Sequence, residues 1–140
     1  MILVDTSIWS LALRRRPAAL SAGEVRLVEE WADLVTEGLA GLIGPIRQEI
    51  LSGVRRAEVF QALRRELSDF PHLGIDVVDY DRAAEFFNVC RAQGITGGPI
   101  DMLISAVAYR YEVPIFSQDT DFMRYARHLP LRLHQIRQAR

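Results

Sequence analysis

The chain contains no lysine, because all 17 of its basic residues are arginine. This absence excludes functions that need a lysine amine, such as the Walker-type phosphate loop and Schiff-base catalysis. It also argues against a receiver-type phosphotransfer site. A codon bias of the source genome explains the arginines more simply than selection for RNA binding. The net charge is −1, so no overall basic field indicates a nucleic-acid partner.

Cysteines and long apolar runs are equally scarce. The single Cys90 excludes an internal disulfide and a thiolate metal cluster, and its place in a helical pattern indicates a buried, inert thiol. No segment approaches the roughly 18 apolar residues that span a membrane. Asp5 interrupts the apolar opening Met1–Val4, so we expect no signal peptide. We therefore expect a soluble, cytoplasmic protein without a membrane partner.

Short apolar segments alternate with amphipathic ones along the 140 residues, and a 49% hydrophobic content is enough for one core. We expect a single domain over residues 1–140 with a three-layer α/β/α fold around a mostly parallel sheet. Thr6 or Ser7 is the expected cap of the first helix, and Asp79 that of the fifth. The predicted strands are 2–4, 39–43, 75–78, 115–117 and 131–133, and the predicted helices are 8–13, 21–37, 45–51, 56–69, 80–93, 100–111 and 121–127.

Four acidic residues, far apart in sequence, occupy positions that a parallel sheet would bring towards one edge. Asp5 and Asp119 follow predicted strands, whose carboxyl ends form ligand sites in such folds. Glu49 and Asp101 lie near the starts of two predicted helices. Burying several carboxylates together is costly unless a cation compensates them, and hard divalent cations prefer oxygen ligands. The pattern therefore predicts metal-dependent chemistry on a phosphate.

Each acid also has a purely structural interpretation. Asp5 can cap the first helix, and Glu49 can be a solvated helix residue at the margin of an apolar face. Asp101 lies in the first turn of its helix, where the helix dipole favours a carboxylate. One of Asp119 and Asp121 is expected to cap the short helix before Phe122.

Four segments resemble, in order and spacing, the motifs of PIN-domain ribonucleases. The similarity is to the compact toxins of bacterial type II toxin–antitoxin pairs, the VapC group, and it covers nearly the whole chain. One departure is Ser117, where threonine is commoner, and the hydroxyl is kept. The segments are Asp5-Thr6-Ser7, Glu49-Ile50-Leu51-Ser52-Gly53, Asp101 to Ala108 and Ser117-Gln118-Asp119-Thr120-Asp121-Phe122.

The resemblance implies an activity, a cofactor and partners. The activity is endonucleolytic hydrolysis of RNA that inhibits translation or growth, and the cofactor is Mg²⁺ or Mn²⁺. The partners are an RNA substrate, a second copy in a homodimer and a small antitoxin in a hetero-oligomer. The implied metal set is Asp5, Glu49, Asp101 and Asp119, with Asp121 as a secondary acid and hydroxyl support from Thr6 or Ser7 and from Ser117.

Two surfaces are candidates for these partners. Arg14, Arg15 and Arg16 could hold RNA phosphate beside the acids, or they could form an ordinary solvated helix end. Apolar residues of the first two helices, Trp9 and Trp31 among them, are either core or a groove for an antitoxin helix. The region 80–93 is a candidate dimer surface.

Two other functions fit the same motifs. One is a housekeeping RNA or DNA nuclease of the PIN fold, and the other is a degenerate, non-catalytic module that binds RNA or protein. Acids at all four positions argue against degeneration.

Overall fold

A computed structural model describes residues 1–137 as a helix-rich α/β fold with a three-stranded parallel sheet. The strands are β1 (Ile2–Val4), β2 (Ala40–Gly41) and β3 (Ile115–Phe116). The helices are α1 (Thr6–Leu13), α2 (Ala22–Thr36), α3 (Gly44–Leu51), α4 (Ala57–Ser68), α5 (Val77–Ala92), α6 (Pro99–Tyr111) and α7 (Asp121–Tyr125), with a 3₁₀ turn at Pro17–Ala19.

The strand order β2-β1-β3 places β1 at the centre of the sheet. In the register, Leu3 pairs with Gly41 on one side and with Ile115 on the other. The chain thus leaves β1 for one edge and later returns to the opposite edge, which creates a switch point at the carboxyl end of β1. The Asp5 amide donates to the Phe116 carbonyl at 2.8 Å, so the segments after β1 and β3 begin side by side.

The core lies on both sides of this short sheet. Seven consecutive residues of α6, Met102 to Ala108, are buried. Trp9 on α1 is fully buried, and its indole nitrogen donates to the Val4 carbonyl at 2.9 Å. Leu11 is buried as well, so these two residues belong to the core rather than to an open groove, whereas Trp31 is only partly buried.

Side-chain hydrogen bonds cap the starts of α1 and α2. The capping box of Ser21 and Glu24 begins α2 as predicted, with hydrogen bonds of 3.0 and 3.1 Å. The cap of α1 is Asp5, whose carboxylate accepts the Ser7 amide, as the structural interpretation of this residue predicted, whereas the other candidates, Thr6 and Ser7, are the first residues of the helix itself.

The predicted strand at 75–78 was wrong, because α5 already begins at Val77. Asp76 is the cap of this helix, and the buried Asp79 lies in its first turn, where its carboxylate accepts the Asp76 amide at 2.9 Å. Arg110 of α6 pairs with Asp79 at 2.8 Å. Burial would raise the pKa of Asp79, but this arginine and the Asp76 amide lower it. The pair fixes a helical start that the β-branched Val77 and Val78 did not indicate.

The last described segment packs against α2 through a buried carboxylate. Glu30 is buried and accepts hydrogen bonds from His134 at 2.5 Å and from Arg137 at 3.0 Å. Burial would raise the pKa of Glu30, but these two donors lower it below its usual value. The predicted last strand reduces to one bridge between Leu133 and Ile115.

The single cysteine and the lengths of the helices were both considered in the sequence. Cys90 is buried as predicted, and burial raises the pKa of its thiol, which disfavours the reactive thiolate. None of the helices in residues 1–137 combines the length and apolarity that a membrane crossing requires.

A candidate metal centre

Asp5 is held at the carboxyl end of β1 by three donors that all reach the same oxygen. The hydroxyls of Ser117 and Ser7 donate to Asp5 Oδ2 at 2.8 and 2.9 Å, and the Ser7 amide approaches it at 3.4 Å. Within residues 1–137 no hydrogen bond reaches Asp5 Oδ1. Asp5 can therefore cap α1 through Oδ2 and still offer Oδ1 to a metal ion.

The two serines also fix the loop that follows β3. The Ser7 hydroxyl accepts the Gln118 amide at 3.0 Å, and the Ser117 hydroxyl accepts the Asp119 amide at 2.9 Å. Each hydroxyl has one hydrogen, which it gives to Asp5, so both act as acceptors towards the loop. This network determines where Asp119 lies relative to Asp5.

Three further carboxylates meet beside this network. Asp101, Asp119 and Asp121 each present one oxygen within 4.8 Å of the others. Asp101 comes from the first turn of α6, and its Oδ2 accepts the Tyr125 hydroxyl at 3.0 Å. Asp119 Oδ1 accepts the Asp121 amide at 2.9 Å and so supports the start of α7. Asp121, treated as a secondary acid in the sequence, thus belongs to the cluster as fully as Asp119.

The cluster carries uncompensated negative charge. Burial, together with the charges of Asp5, Asp119 and Asp121, raises the pKa of Asp101 to about 6, although the hydrogen bond from the Tyr125 hydroxyl opposes the shift. Within residues 1–137, Asp121 is the one member of the cluster with a cationic partner, Arg124 at 2.6 Å. Crowded oxygen donors with excess negative charge match the preference of a hard divalent cation such as Mg²⁺ or Mn²⁺.

Glu49 lies beside the cluster rather than within it. It is exposed on α3, and its Oε2 accepts the Thr6 hydroxyl at 2.9 Å. Because Thr6 directly follows Asp5, this hydrogen bond orients the Glu49 carboxylate at the rim of the site. It does not join the three oxygens that lie within 4.8 Å of one another, and its role as a ligand stays a prediction.

The arginine run is linked to the loop that carries Asp119. Arg14, Arg15 and Arg16 are exposed after α1. Arg15 pairs with Glu24 at 3.5 Å, and Glu24 accepts the Gln118 side-chain amide at 3.3 Å. The ion pair and the hydrogen bond connect the end of α1 to this loop, and the binding of RNA phosphate by the run stays a prediction.

Sequence reasoning missed Tyr125. The residue ends α7, is 1% exposed, and its ring packs edge to face against Phe122. An aromatic residue in that pattern predicts a buried core position, and nothing in the local sequence indicates that its hydroxyl binds a carboxylate. Burial and the neighbouring Asp101 carboxylate raise the pKa of Tyr125, so the phenol stays protonated as a donor.

Comparisons with known proteins found matches over most of the chain. Residues 2–128 match the family model of the PIN domain. The chain is 36% identical over 131 residues to VapC ribonuclease Mb1587 of Mycobacterium bovis, covering 91% of this chain and 92% of the relative. Ribonuclease VapC11 of Mycobacterium tuberculosis matches with the same identity and coverage.

Solved structures share the fold at low sequence identity. The structure of VapBC2 from Rickettsia felis, bound to a DNA fragment from its promoter, gives a TM-score of 0.71 at 16% identity and covers 96% of this chain and 98% of that chain. VapC20 of Mycobacterium tuberculosis, a toxin that cleaves the sarcin–ricin loop, gives 0.67 at 18%, covering 94% and 99%. FitAcB from Neisseria gonorrhoeae gives 0.69 at 18%, covering 96% and 97%.

Proposed function

Because this chain belongs to the PIN-domain family, we propose that it is a metal-dependent endoribonuclease that acts as the toxin of a toxin–antitoxin pair. One observation carries the proposal. Three carboxylates from two separate segments converge within 4.8 Å, next to Asp5, in a chain that is 36% identical to VapC ribonucleases. Such a cluster can hold the divalent cations that promote hydrolysis of a phosphodiester bond.

The proposed cofactor is Mg²⁺ or Mn²⁺, held by Asp5, Asp101 and Asp119, with Asp121 as a further ligand and Glu49 at the rim. When bound, such a cation lowers the pKa of water and offsets the charge that develops on a phosphate. The chain's own residues restrain these carboxylates. The serines do so for Asp5, and the hydrogen bond from the Asp121 amide does so for Asp119.

Substrate binding has to overcome the repulsion between these acids and the RNA backbone. The exposed Arg14–Arg16 run supports a path for phosphate, and Glu24 partly compensates Arg15. Because RNA has to reach the site, the proposed location is the cytoplasm. The run would contribute affinity without sequence preference, since it contacts phosphate rather than base edges.

The proposed protein partners are a small antitoxin and a second copy of the chain. Support comes from the structural neighbours, which include VapBC2 bound to DNA and a toxin–antitoxin complex from Klebsiella pneumoniae. On this chain, Tyr80 and Val89 of α5 are exposed. They keep the region 80–93 as the proposed dimer surface.

The test is cleavage of total RNA by the purified protein with Mg²⁺, with Mn²⁺ and with EDTA, followed by mapping of the cut ends. We expect cutting at defined sites only with metal, and its loss in Asp5→Asn and Asp101→Asn. Asp33→Asn is the charge-matched control, because Asp33 is exposed on α2. Full cleavage in EDTA, or by either site variant, would contradict the mechanism. Preferential cleavage of DNA would instead indicate a housekeeping nuclease.

A further inference from the structure

We propose that Tyr125 is a positioning residue of the metal centre, an inference that rests on the proposed function and extends it. Its hydroxyl donates to Asp101 Oδ2 at 3.0 Å. Within residues 1–137 no hydrogen bond reaches Asp101 Oδ1. The tyrosine thus occupies one oxygen of the carboxylate and leaves the other for a cation.

The hydroxyl lies at a fixed point because the ring cannot move freely. Tyr125 is 1% exposed, and its ring contacts Phe122 with centroids 5.4 Å apart at an interplanar angle of 82°. A buried phenol hydroxyl needs a partner. Here that partner is a carboxylate, and hydrogen bonds to an ionised acceptor are shorter and stronger than neutral ones.

The hydrogen bond joins the two segments that supply the acids. Asp101 belongs to α6, whereas Asp119 and Asp121 belong to the loop before α7 and to its first residue. In the part of the chain that the structure describes, the Tyr125–Asp101 contact is the only hydrogen bond between side chains of α6 and α7. It therefore ties the Asp101 carboxylate to the helix that begins with Asp121.

A positioning role differs from a merely structural one in what a hydroxyl deletion changes. Groups that hydrogen-bond a metal ligand fix its orientation, and their removal typically lowers metal affinity by about 10- to 100-fold. A hydroxyl that only supports the fold changes stability and leaves the affinity alone. The chain offers such a hydroxyl for comparison, because Tyr111 on α6 donates to the Gly74 carbonyl at the same 3.0 Å, away from the acids.

The experiment measures Mn²⁺ binding by calorimetry on metal-free protein for the wild type, Tyr125→Phe and Tyr111→Phe. We expect the Kd of Tyr125→Phe to rise about tenfold, with a changed electron paramagnetic resonance spectrum of the bound ion. Tyr111→Phe is expected to stay within about twofold of the wild type. Circular dichroism verifies that each variant is folded at the titration temperature.

A third variant separates instability from positioning. Leu67→Ala removes a fully buried side chain of α4 and leaves the Tyr125 ring and its hydroxyl in place, so its thermal stability is expected to fall with little change in Mn²⁺ affinity. A wild-type Kd for Tyr125→Phe would overturn the inference, as would an equal loss of affinity in Tyr111→Phe. If the wild type binds no Mn²⁺ and cuts RNA in EDTA, the proposed function itself fails. If the wild type binds and cuts with metal but Tyr125→Phe binds equally well, only the positioning role fails.

Discussion

Replacing Asp101 by asparagine should make the metal-free protein more stable, although it removes a proposed ligand. The pKa of Asp101 is raised from its usual 3.8 to about 6 by burial and by the neighbouring carboxylates. Since one pKa unit corresponds to about 1.4 kcal/mol, ionising this side chain costs the folded state at most about 3 kcal/mol. Asp101 is partly exposed, so solvent screening reduces the figure to about 1–2 kcal/mol. Asparagine keeps an acceptor for the Tyr125 hydroxyl.

The effect depends on pH in a defined direction. A carboxyl group whose pKa is higher in the folded state binds its proton more tightly there. Wild-type stability therefore falls as the pH rises from about 4 to about 6 and changes little above that window. The advantage of Asp101→Asn is fully developed at about pH 7.5, falls to about half near pH 5 and vanishes towards pH 4.

Thermal unfolding in EDTA measures this advantage, with Asp33→Asn as the exposed control. At about pH 7.5 the Tm of Asp101→Asn should exceed that of the wild type by about 3–8 °C. Excess Mn²⁺ should then raise the wild-type Tm more than that of the variant, since the variant has lost a proposed ligand. A variant less stable than the wild type in EDTA, or an advantage independent of pH, would refute the reasoning.

Three further outcomes are expected. Asp119→Asn should weaken Mn²⁺ binding in calorimetry more than Asp121→Asn, because an arginine already compensates Asp121; the reverse order would make Asp121 the stronger ligand. Replacing Arg14–Arg16 by glutamine should lower RNA affinity and reduce the salt slope of binding by about 0.7 per lost phosphate contact, whereas the same change at Arg64–Arg65 of α4 should not; an unchanged slope would reject the role of the run. Glu30→Gln should lower the free energy of unfolding in urea by about 1–2 kcal/mol at neutral pH, and because the pKa of Glu30 is lowered, this advantage of the wild type should disappear as the pH falls through that lowered pKa. Equal stability of the wild type and Glu30→Gln at neutral pH would contradict this prediction.

Local signals predicted much of the fold, and a long-range contact decided where they failed. The start of α2 was predictable because Ser21 and Glu24 form a capping box within one helical turn. The start of α5 was not, because the buried Asp79 pairs with the partly exposed Arg110, 31 positions further along the chain. Two adjacent valines indicate a strand only when nothing distant fixes a helix there, so the sequence near Val77 pointed the wrong way.

The candidate site divides in the same manner. Asp5 and Asp119 could be placed from sequence because each follows a parallel strand, and the sheet brings those ends together. Glu49 was harder to place, because it lies on a helix and the sequence does not show how that helix is tilted. In the structure it lies at the rim, against Thr6. Tyr125 could not be found at all, because a buried phenol and a buried phenyl ring give the same apolar pattern.

The metal affinity and the metal-free instability proposed here have one physical origin. Asp5 is compensated by two hydroxyls and an amide, whereas Asp101 receives one hydroxyl and faces three other acids. A cation gains most where repulsion is least compensated, so the carboxylate that destabilises the metal-free fold most should also contribute most to metal binding. Across asparagine variants of the acids, the gain in metal-free stability should therefore rank in the same order as the loss of Mn²⁺ affinity.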